Sequence, residues 1–281
     1  MGLQINTNVM ALNAQRNLGM TATKMAKAME RLSSGLRINR AADDAAGLAI
    51  SEKLRAQING LSQASRNAQD GISLVQTAEG ALNQSHAILQ RMRELVVQAG
   101  TATVSASDKT QIQSEVTALR AELDRIASVT DFNGTKLLDG SLNATLLVGA
   151  NGTASETINI TVANQNSATL GLGNGGTTLT VGAVNVTANT AANDLLAIDK
   201  GIADVATARS NLGAVQNRLE HTVASLGVAV ENLSASESRI RDADIAVESS
   251  RLVTSQILQQ AGVAVLAQAN SAPQAVLQLL R

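Results

Sequence analysis

The sequence predicts a mainly α protein: a long antiparallel helical bundle, or coiled coil, that carries a small β-rich insert. Three observations predict it. The first is heptad spacing. A step of seven through the N-terminal half meets Leu54, Leu61, Ala68, Val75, Leu82, Leu89 and Val96, and the same step through the C-terminal half meets Val205, Leu212, Leu219, Leu226 and Leu233. Apolar residues sustained at sevens mark helices that bury a narrow seam against other helices. The second is composition: the 281 residues include one Phe and no Trp, Tyr or Cys. A core without aromatics is built from Leu, Ile, Val, Met and Ala, which suits slender bundles better than a thick globule. The third is the likeness of the two ends. No charged residue lies between Leu252 and Leu280, and none between Gly2 and Gln15, where Leu3, Ile5, Val9, Met10 and Leu12 recur at near-helical spacing. Apolar helices with so little polar face need partners, so the chain is expected to fold back on itself and bury its ends in an assembly.

Each element follows in order. Helical patterning runs from about Leu3 to Leu36, pauses at Ser33-Ser34-Gly35 and resumes from about Asp43 to Gln98. A break spans Gly100–Ser107, where Ser107-Asp108 offers an N-cap, and Ile112, Val116, Leu119, Leu123 and Ile126 mark a shorter helix. Asp131-Phe132-Asn133-Gly134 ends it with an Asn-Gly turn signal. From Gly140 to Asn193 the character changes: Glu156 is the sole charge, and Thr157–Val162, Thr178–Val181 and Ala183–Thr187 alternate polar and apolar residues as half-buried strands do. Helix returns from about Asp194 to Ser234, and after a junction at Ser236–Asp244 comes a terminal helix.

The composition also excludes. A net charge of −1, with no basic stripe interleaved with aromatics, leaves no footprint for nucleic acid. Without cysteine there is neither a disulfide framework nor a thiolate metal site. The uncharged C-terminal run is long enough to span a bilayer, but Gln256, Gln259, Gln260, Gln268, Asn270, Gln274 and Gln278 would be costly in lipid, so a packed interface helix is expected instead of membrane insertion. The opening Met-Gly-Leu-Gln-Ile-Asn-Thr-Asn lacks the basic region and apolar core of a signal peptide, which predicts a cytoplasmic protein or one exported without cleavage.

Candidate chemistry resolves to structure. The two histidines, His86 and His221, sit on separate heptad helices and outside any His-Glu-x-x-His pattern, which argues against a zinc hydrolase. Asp43-Asp44 are adjacent on a helix and point about 100° apart, so helix-start capping is expected of them instead of acid–base work. Gly171-x-Gly173-x-x-Gly176 matches the dinucleotide fingerprint in letters, but a strand pattern follows where the phosphate site needs a helix N-terminus; a β-turn is expected. Arg91 and Arg93 lie on a long helix and read as a solvated face. No catalytic residue, cofactor or metal is expected.

The chain resembles the bacterial flagellins. The resemblance rests on Leu3-Gln4-Ile5-Asn6-Thr7-Asn8, on Arg31-Leu32-Ser33-Ser34-Gly35-Leu36-Arg37-Ile38-Asn39 and on Ala41-Ala42-Asp43-Asp44-Ala45-Ala46-Gly47-Leu48. It continues through Arg66-Asn67-Ala68-Gln69-Asp70-Gly71-Ile72-Ser73 and Thr130-Asp131-Phe132-Asn133-Gly134 to Arg239-Ile240-Arg241-Asp242-Ala243-Asp244, Val265-Leu266-Ala267-Gln268-Ala269-Asn270 and Pro273-Gln274. It covers roughly residues 1–140 and 195–281, and the short middle leaves no room for the large outer domains of longer flagellins.

The resemblance implies a filament subunit for swimming motility, extracellular in the flagellum, exported unfolded and uncleaved by the flagellum's own type III apparatus. It implies a terminal-helix coiled coil, designated D0, from residues 1–42 and 243–281, and a D1 bundle from 43–242 whose insert at about 140–193 contains a β-hairpin. Packing between identical subunits would fall on Leu3, Ile5, Val9, Leu12, Leu258, Val265, Leu266, Val276, Leu277 and Leu280. Further implied partners are an export chaperone, the filament cap and the hook-associated proteins. By the same resemblance Gln90-Arg91-x-Arg93-Glu94-Leu95-x-x-Gln98 and Ile112-Gln113-x-Glu115 match the surface bound by the host's flagellin-sensing Toll-like receptor, which carries that role onto Arg91, Leu95 and Glu115 with Gln90 and Gln98 flanking. Two other readings differ in kind. A hook–filament junction protein would share the terminal helices without forming long filaments unaided, and a chemoreceptor-like signalling coiled coil leaves the uncharged ends and the β insert unexplained.

Overall fold

The computed structural model describes residues 8–170, 180–188 and 191–279, with side chains throughout except at Ala188 and 272–279. Five long helices carry the described residues: α1 (Val9–Ser34), α2 (Ala45–Ala99), α3 (Ala106–Val129), α4 (Ala191–Arg241) and α5 (Ile245–Leu279). The chain divides into two compact units, Met1–Ile58 with Glu231–Arg281, and Asn59–Val230. The expected D0 and D1 bounds instead follow the helix breaks, which is where the two divisions differ.

In the first unit, side-chain caps start and stop the helices. Asn8 Oδ1 accepts from the Ala11 amide at 3.1 Å to open α1, and Gly35, at φ 70°, closes it by donating to the Arg31 carbonyl. The expected capping role of Asp43-Asp44 is divided. Asp44 accepts from Gly47 N at 2.9 Å to open α2, whereas Asp43 accepts from the amides of Asn39 and Arg40 in the connection before it. The Lys27 ammonium, 2.6 Å from Asp43, is the main reason its carboxyl is lowered to about 2, with those two amides assisting. The break between α4 and α5 is short: α4 runs beyond the expected Ser234 to Arg241, and Asp244 accepts from Ala246 N and Val247 N to open α5. The two breaks bind each other. Arg37 N donates to Arg241 O, Ala243 N to Gly35 O, and Arg37's guanidinium to Ile240 O at 2.6 Å.

The second unit is the heptad bundle. Ala68, Val75, Leu82, Leu89 and Val96 of α2 and Val205, Leu212 and Leu219 of α4 are all buried, as the sevens predicted, with Leu226 buried near the end of the series. Ile112, Val116, Leu123 and Ala127 of α3 join the core that Val75, Leu82, Leu89, Val96, Val205 and Leu212 build. The cap of α3 differs from expectation. Ser105, two residues before the expected Ser107, is the N-cap and forms a capping box with Asp108, since Asp108 at the third helical position can reach back only that far.

The β structure among the described residues is two antiparallel pairs. β1 (Asp131–Phe132) and β2 (Thr135–Lys136) are joined by Asn133 at φ 50° and Gly134 at φ 80°, the two positive values that a two-residue hairpin turn requires. β3 (Asn143–Leu147) pairs with β4 (Thr157–Thr161), with Ala144 opposite Ile160 and Leu146 opposite Ile158 on the inward face. β4 is the expected strand Thr157–Val162. The expected strand Ala183–Thr187 is corrected, as is the described end of Thr178–Val181: single 3₁₀ turns occupy Val181–Ala183 and Val186–Ala188. The alternation is real, because Val181, Val184 and Val186 are buried. What is missing is a ladder, since α3 side chains take up the backbone groups. Gln113 accepts from Val186 N at 2.8 Å, Arg120 donates to Gly182 O at 2.7 Å, and Asp124 accepts from Ser167 N at 2.7 Å. Gly171-x-Gly173-x-x-Gly176 and the start of Thr178–Val181 lie outside the described residues.

Candidate assembly surfaces

Helices α1 and α5 lie side by side and antiparallel. Asn8 Nδ2 donates to Ala269 O at 2.7 Å, Leu18 packs where Gly262 lacks a side chain, and Arg31 pairs with Glu248 at 3.0 Å, so contacts advance along α1 as they retreat along α5. A Cβ added at Gly262 would stand 3.1 Å from the Leu18 side chain, tighter than ordinary contact. The residues of α1 turned inward are Ala11, Ala14, Leu18, Thr21, Met25, Ala28 and Leu32, and those of α5 are Glu248, Leu252, Ser255, Gln259, Gly262, Leu266 and Ala269. Both series alternate steps of three and four, the spacing of a coiled-coil seam. Other described side chains of α5 through Ser271 are exposed.

This seam is inverted in content. Small and polar residues occupy much of it, which lets the backbones approach closely, while large apolar side chains point away. Val9, Met10, Leu12, Met20 and Met29 on α1, and Ile245, Val247, Val253, Ile257, Leu258, Val263 and Val265 on α5, are between 45% and 71% exposed. Burial of one such side chain is worth about 1.5–3 kcal/mol, so a pair of helices that leaves a dozen of them outward is built to be covered. Of the expected packing residues, Val9, Leu12, Leu258 and Val265 stand on this outer face. Leu266 differs from these four: it is half-buried in the seam, on the step of seven that runs through Leu252 and Gln259. Leu3, Ile5 and Leu280, and the side chains of Val276 and Leu277, lie outside the described residues. No helix among the described residues is long and apolar enough to cross a membrane.

The second surface lies on α2 and α3. Arg91 reaches across to Glu115, Nη2 to Oε1 at 2.9 Å, and along its own helix to Glu94 at 3.2 Å. These carboxylates hold the guanidinium's pKa above its ordinary value, Glu115 first. Gln90 is exposed and bonded to His86, Gln98 is exposed two turns along, and Arg93 pairs with Asp199 of α4 at 2.7 Å. Leu95 corrects the expectation of an apolar surface anchor. At 2% exposed it is part of the core, because positions 92, 95, 96 and 99 form the buried stripe of α2 while 90, 91, 94 and 98 form its outer face.

The model of the bacterial flagellin N-terminal helical region matches residues 5–143, and that of the C-terminal helical region matches residues 195–280. The chain belongs to the bacterial flagellins. It is 52% identical to a flagellin of Halalkalibacterium halodurans over 99% of both chains, and 49% identical to a flagellin of Bacillus subtilis over 99% of this chain and all of that one. A solved structure of a putative flagellar hook-associated protein from Vibrio parahaemolyticus, 16% identical, shares the fold with a TM-score of 0.58 over 71% of this chain and all of that one. As a flagellin it is a structural subunit of the extracellular flagellar filament, which self-assembles from identical subunits, and not an enzyme.

Sequence reasoning missed the inward residues of α1 and α5. The signal was present: Ala11, Ala14, Thr21, Ala28, Ser255, Gly262 and Ala269 keep heptad spacing, but a search for apolar sevens passes over small residues.

Proposed function

We propose that this flagellin polymerises by burying the outward apolar faces of α1 and α5 against neighbouring subunits, and that its terminal helices are the D0 layer of the filament. The observation that carries the reading is the inverted seam: small and polar residues within the pair, large aliphatic ones outside. A helix pair meant to stay in water would place them the other way round. The flagellum's own apparatus would export the subunit unfolded and without cleavage, with an export chaperone covering the apolar ends until then. The filament cap and the hook-associated proteins, which meet the same ends, complete the set of partners in the organelle. Removing Ala261–Arg281 tests this. The truncated chain is expected to stay soluble with its heptad bundle intact and to fail to pellet after seeding with filament fragments; normal filaments from it would overturn the assignment.

A second reading concerns the free monomer. The exposed cluster of Gln90, Arg91, Glu94, Gln98 and Glu115 supports recognition by the host's flagellin-sensing Toll-like receptor: a forked cation already oriented by two carboxylates, on a rigid two-helix face. Leu95 serves this surface from beneath by fixing α2 on the core.

A further inference from the structure

Sulfur is unevenly placed in this chain. There is no cysteine and no Trp, so a two-electron oxidant such as hydrogen peroxide meets no thiol and no indole, and the methionine thioethers are the most readily oxidised groups left. Of the six methionines, four lie within α1: Met10, Met20, Met25 and Met29. Met92 belongs to the core of the second unit, and Met1 lies outside the described residues. Helix α5, the other half of the terminal pair, has no methionine; its outward residues are Ile, Val and Leu, which peroxide leaves alone.

Exposure grades the four on α1. Met10 is 71% exposed, Met20 52% and Met29 45%, whereas Met25 is half-buried in the α1–α5 seam. Met92 is fully buried. Peroxide must reach the sulfur, so the three outward methionines react first and Met92 last. A sulfur lone pair attacks one peroxide oxygen, the O–O bond breaks and an S–O bond forms. The departing hydroxide takes the proton from the transferred oxygen and leaves as water. Sulfur is oxidised by two electrons and peroxide is reduced by two. A soft apolar group has become a polar acceptor, which must be stripped of water wherever the face is covered. On a surface that stays in water the change costs little; on one that a neighbouring subunit covers it opposes docking.

We propose that Met10, Met20 and Met29 form a reversible oxidation site that switches the free subunit between assembly-competent and assembly-incompetent forms. The switch rests on the proposed function above, in which neighbouring subunits cover this face. Methionine sulfoxide reductases, one for each sulfoxide epimer, reverse it: two thiols become a disulfide and the oxygen leaves as water.

Monomer treated with graded peroxide and mapped by mass spectrometry tests the chemistry. Sulfoxide is expected at Met10, Met20 and Met29 before Met25, with Met92 modified only after unfolding in guanidinium; Met92 reacting as fast as Met20 would contradict the site. Once the three are oxidised, the critical concentration for polymerisation should rise about tenfold or more, with helicity by circular dichroism unchanged. Both reductases with dithiothreitol should restore assembly, and the thiol finds no disulfide in this chain to disturb. Met10→Leu, Met20→Leu and Met29→Leu together nearly conserve volume and remove the sulfur, so that variant should polymerise alike before and after peroxide. Loss of its assembly on peroxide, unaltered polymerisation of the native chain carrying all three sulfoxides, or no recovery with the reductases refutes the switch. Reductase recovery carries the test should the Leu variant not assemble. Met10→Gln, Met20→Gln and Met29→Gln together, without oxidant, separate the two readings. If that variant polymerises normally, covering of the α1 face by neighbours fails and the switch with it. If it does not polymerise while the oxidised native chain does, the switch alone fails.

Discussion

Leu219 illustrates how much one position in a heptad can be asked to bear. It is fully buried in a cluster with Ala68, Val148 and Ile158, where α2, α4 and the β3–β4 hairpin meet. Asp at this position would place a carboxylate where nothing can pair with it, at a cost of at least about 3 kcal/mol. Leu226, one step on, is 8% exposed, so Leu226→Asp should cost less. Urea midpoints of the two variants check the order, and equal, unshifted midpoints would show that the helix face is wrong. Arg91 is the opposite case. Its guanidinium is half-exposed and its two ion pairs are screened by water, so Arg91→Ala should leave the melting temperature where it was. The same variant should lose monomer signalling in reporter cells bearing the flagellin-sensing receptor. Leu95→Ala should do the reverse, lowering the melting temperature by creating a cavity. Silent wild-type monomer would remove the receptor reading and leave Arg91 a structural surface residue.

At the scale of elements, what could be read in advance depended on whether charges bracketed the pattern. The α2 and α4 seams were legible because Arg, Glu, Gln and Asp separate their apolar sevens and leave one face to bury. Asn133-Gly134 was legible because few dipeptides accept two positive φ values. The 181–187 stretch was misread because alternation reports only which side chains are buried. Whether the backbone then finds a neighbouring strand or the side chains of Gln113 and Arg120 is not written in the stretch itself. The connection between α1 and α2 yields a pH prediction. Asp43, held to about 2 by Lys27 first and then by the amides of Arg40 and Asn39, has a folded value below its ordinary 3.8. A carboxyl depressed on folding contributes stability above its ordinary value and loses it as pH falls through the folded one. Protection of the Asn39 and Arg40 amides should therefore be intact at neutral pH and decline from about pH 4 to about pH 2. Asp43→Asn should show the weakened protection at every pH. A pH-independent pattern identical in both proteins would sever the link between this carboxylate and the local order.

For the whole molecule, the ends were legible as a matter of need and illegible as a matter of direction. A run such as Leu252–Leu280 says that water is a poor environment for it, but with no charge on any side it does not say which residues face the chain's own partner helix and which face outward. That is why the residues expected to pack between subunits include Leu258 and Val265, which stand outward in the subunit, together with Leu266, which lies half-buried in the seam. The distinction has a measurable consequence, because outward residues should govern assembly without governing the fold of the monomer. Ile257, 60% exposed in the subunit, is the test position. If a neighbour covers it, Ile257→Asn forfeits about 1.5–3 kcal/mol per subunit added. At 1.4 kcal/mol for each factor of ten, the critical concentration for polymerisation should then rise about tenfold or more. Helicity of the monomer should be unchanged, since the side chain touches little of its own chain. Val265→Asn should behave alike, whereas Ala269→Asn, in the seam, should disturb α1–α5 pairing in the monomer itself. Sedimentation of filaments against subunit concentration gives the first quantity and circular dichroism the second. A critical concentration unmoved by both outward substitutions would mean that the exposed face of α5 is not where subunits meet.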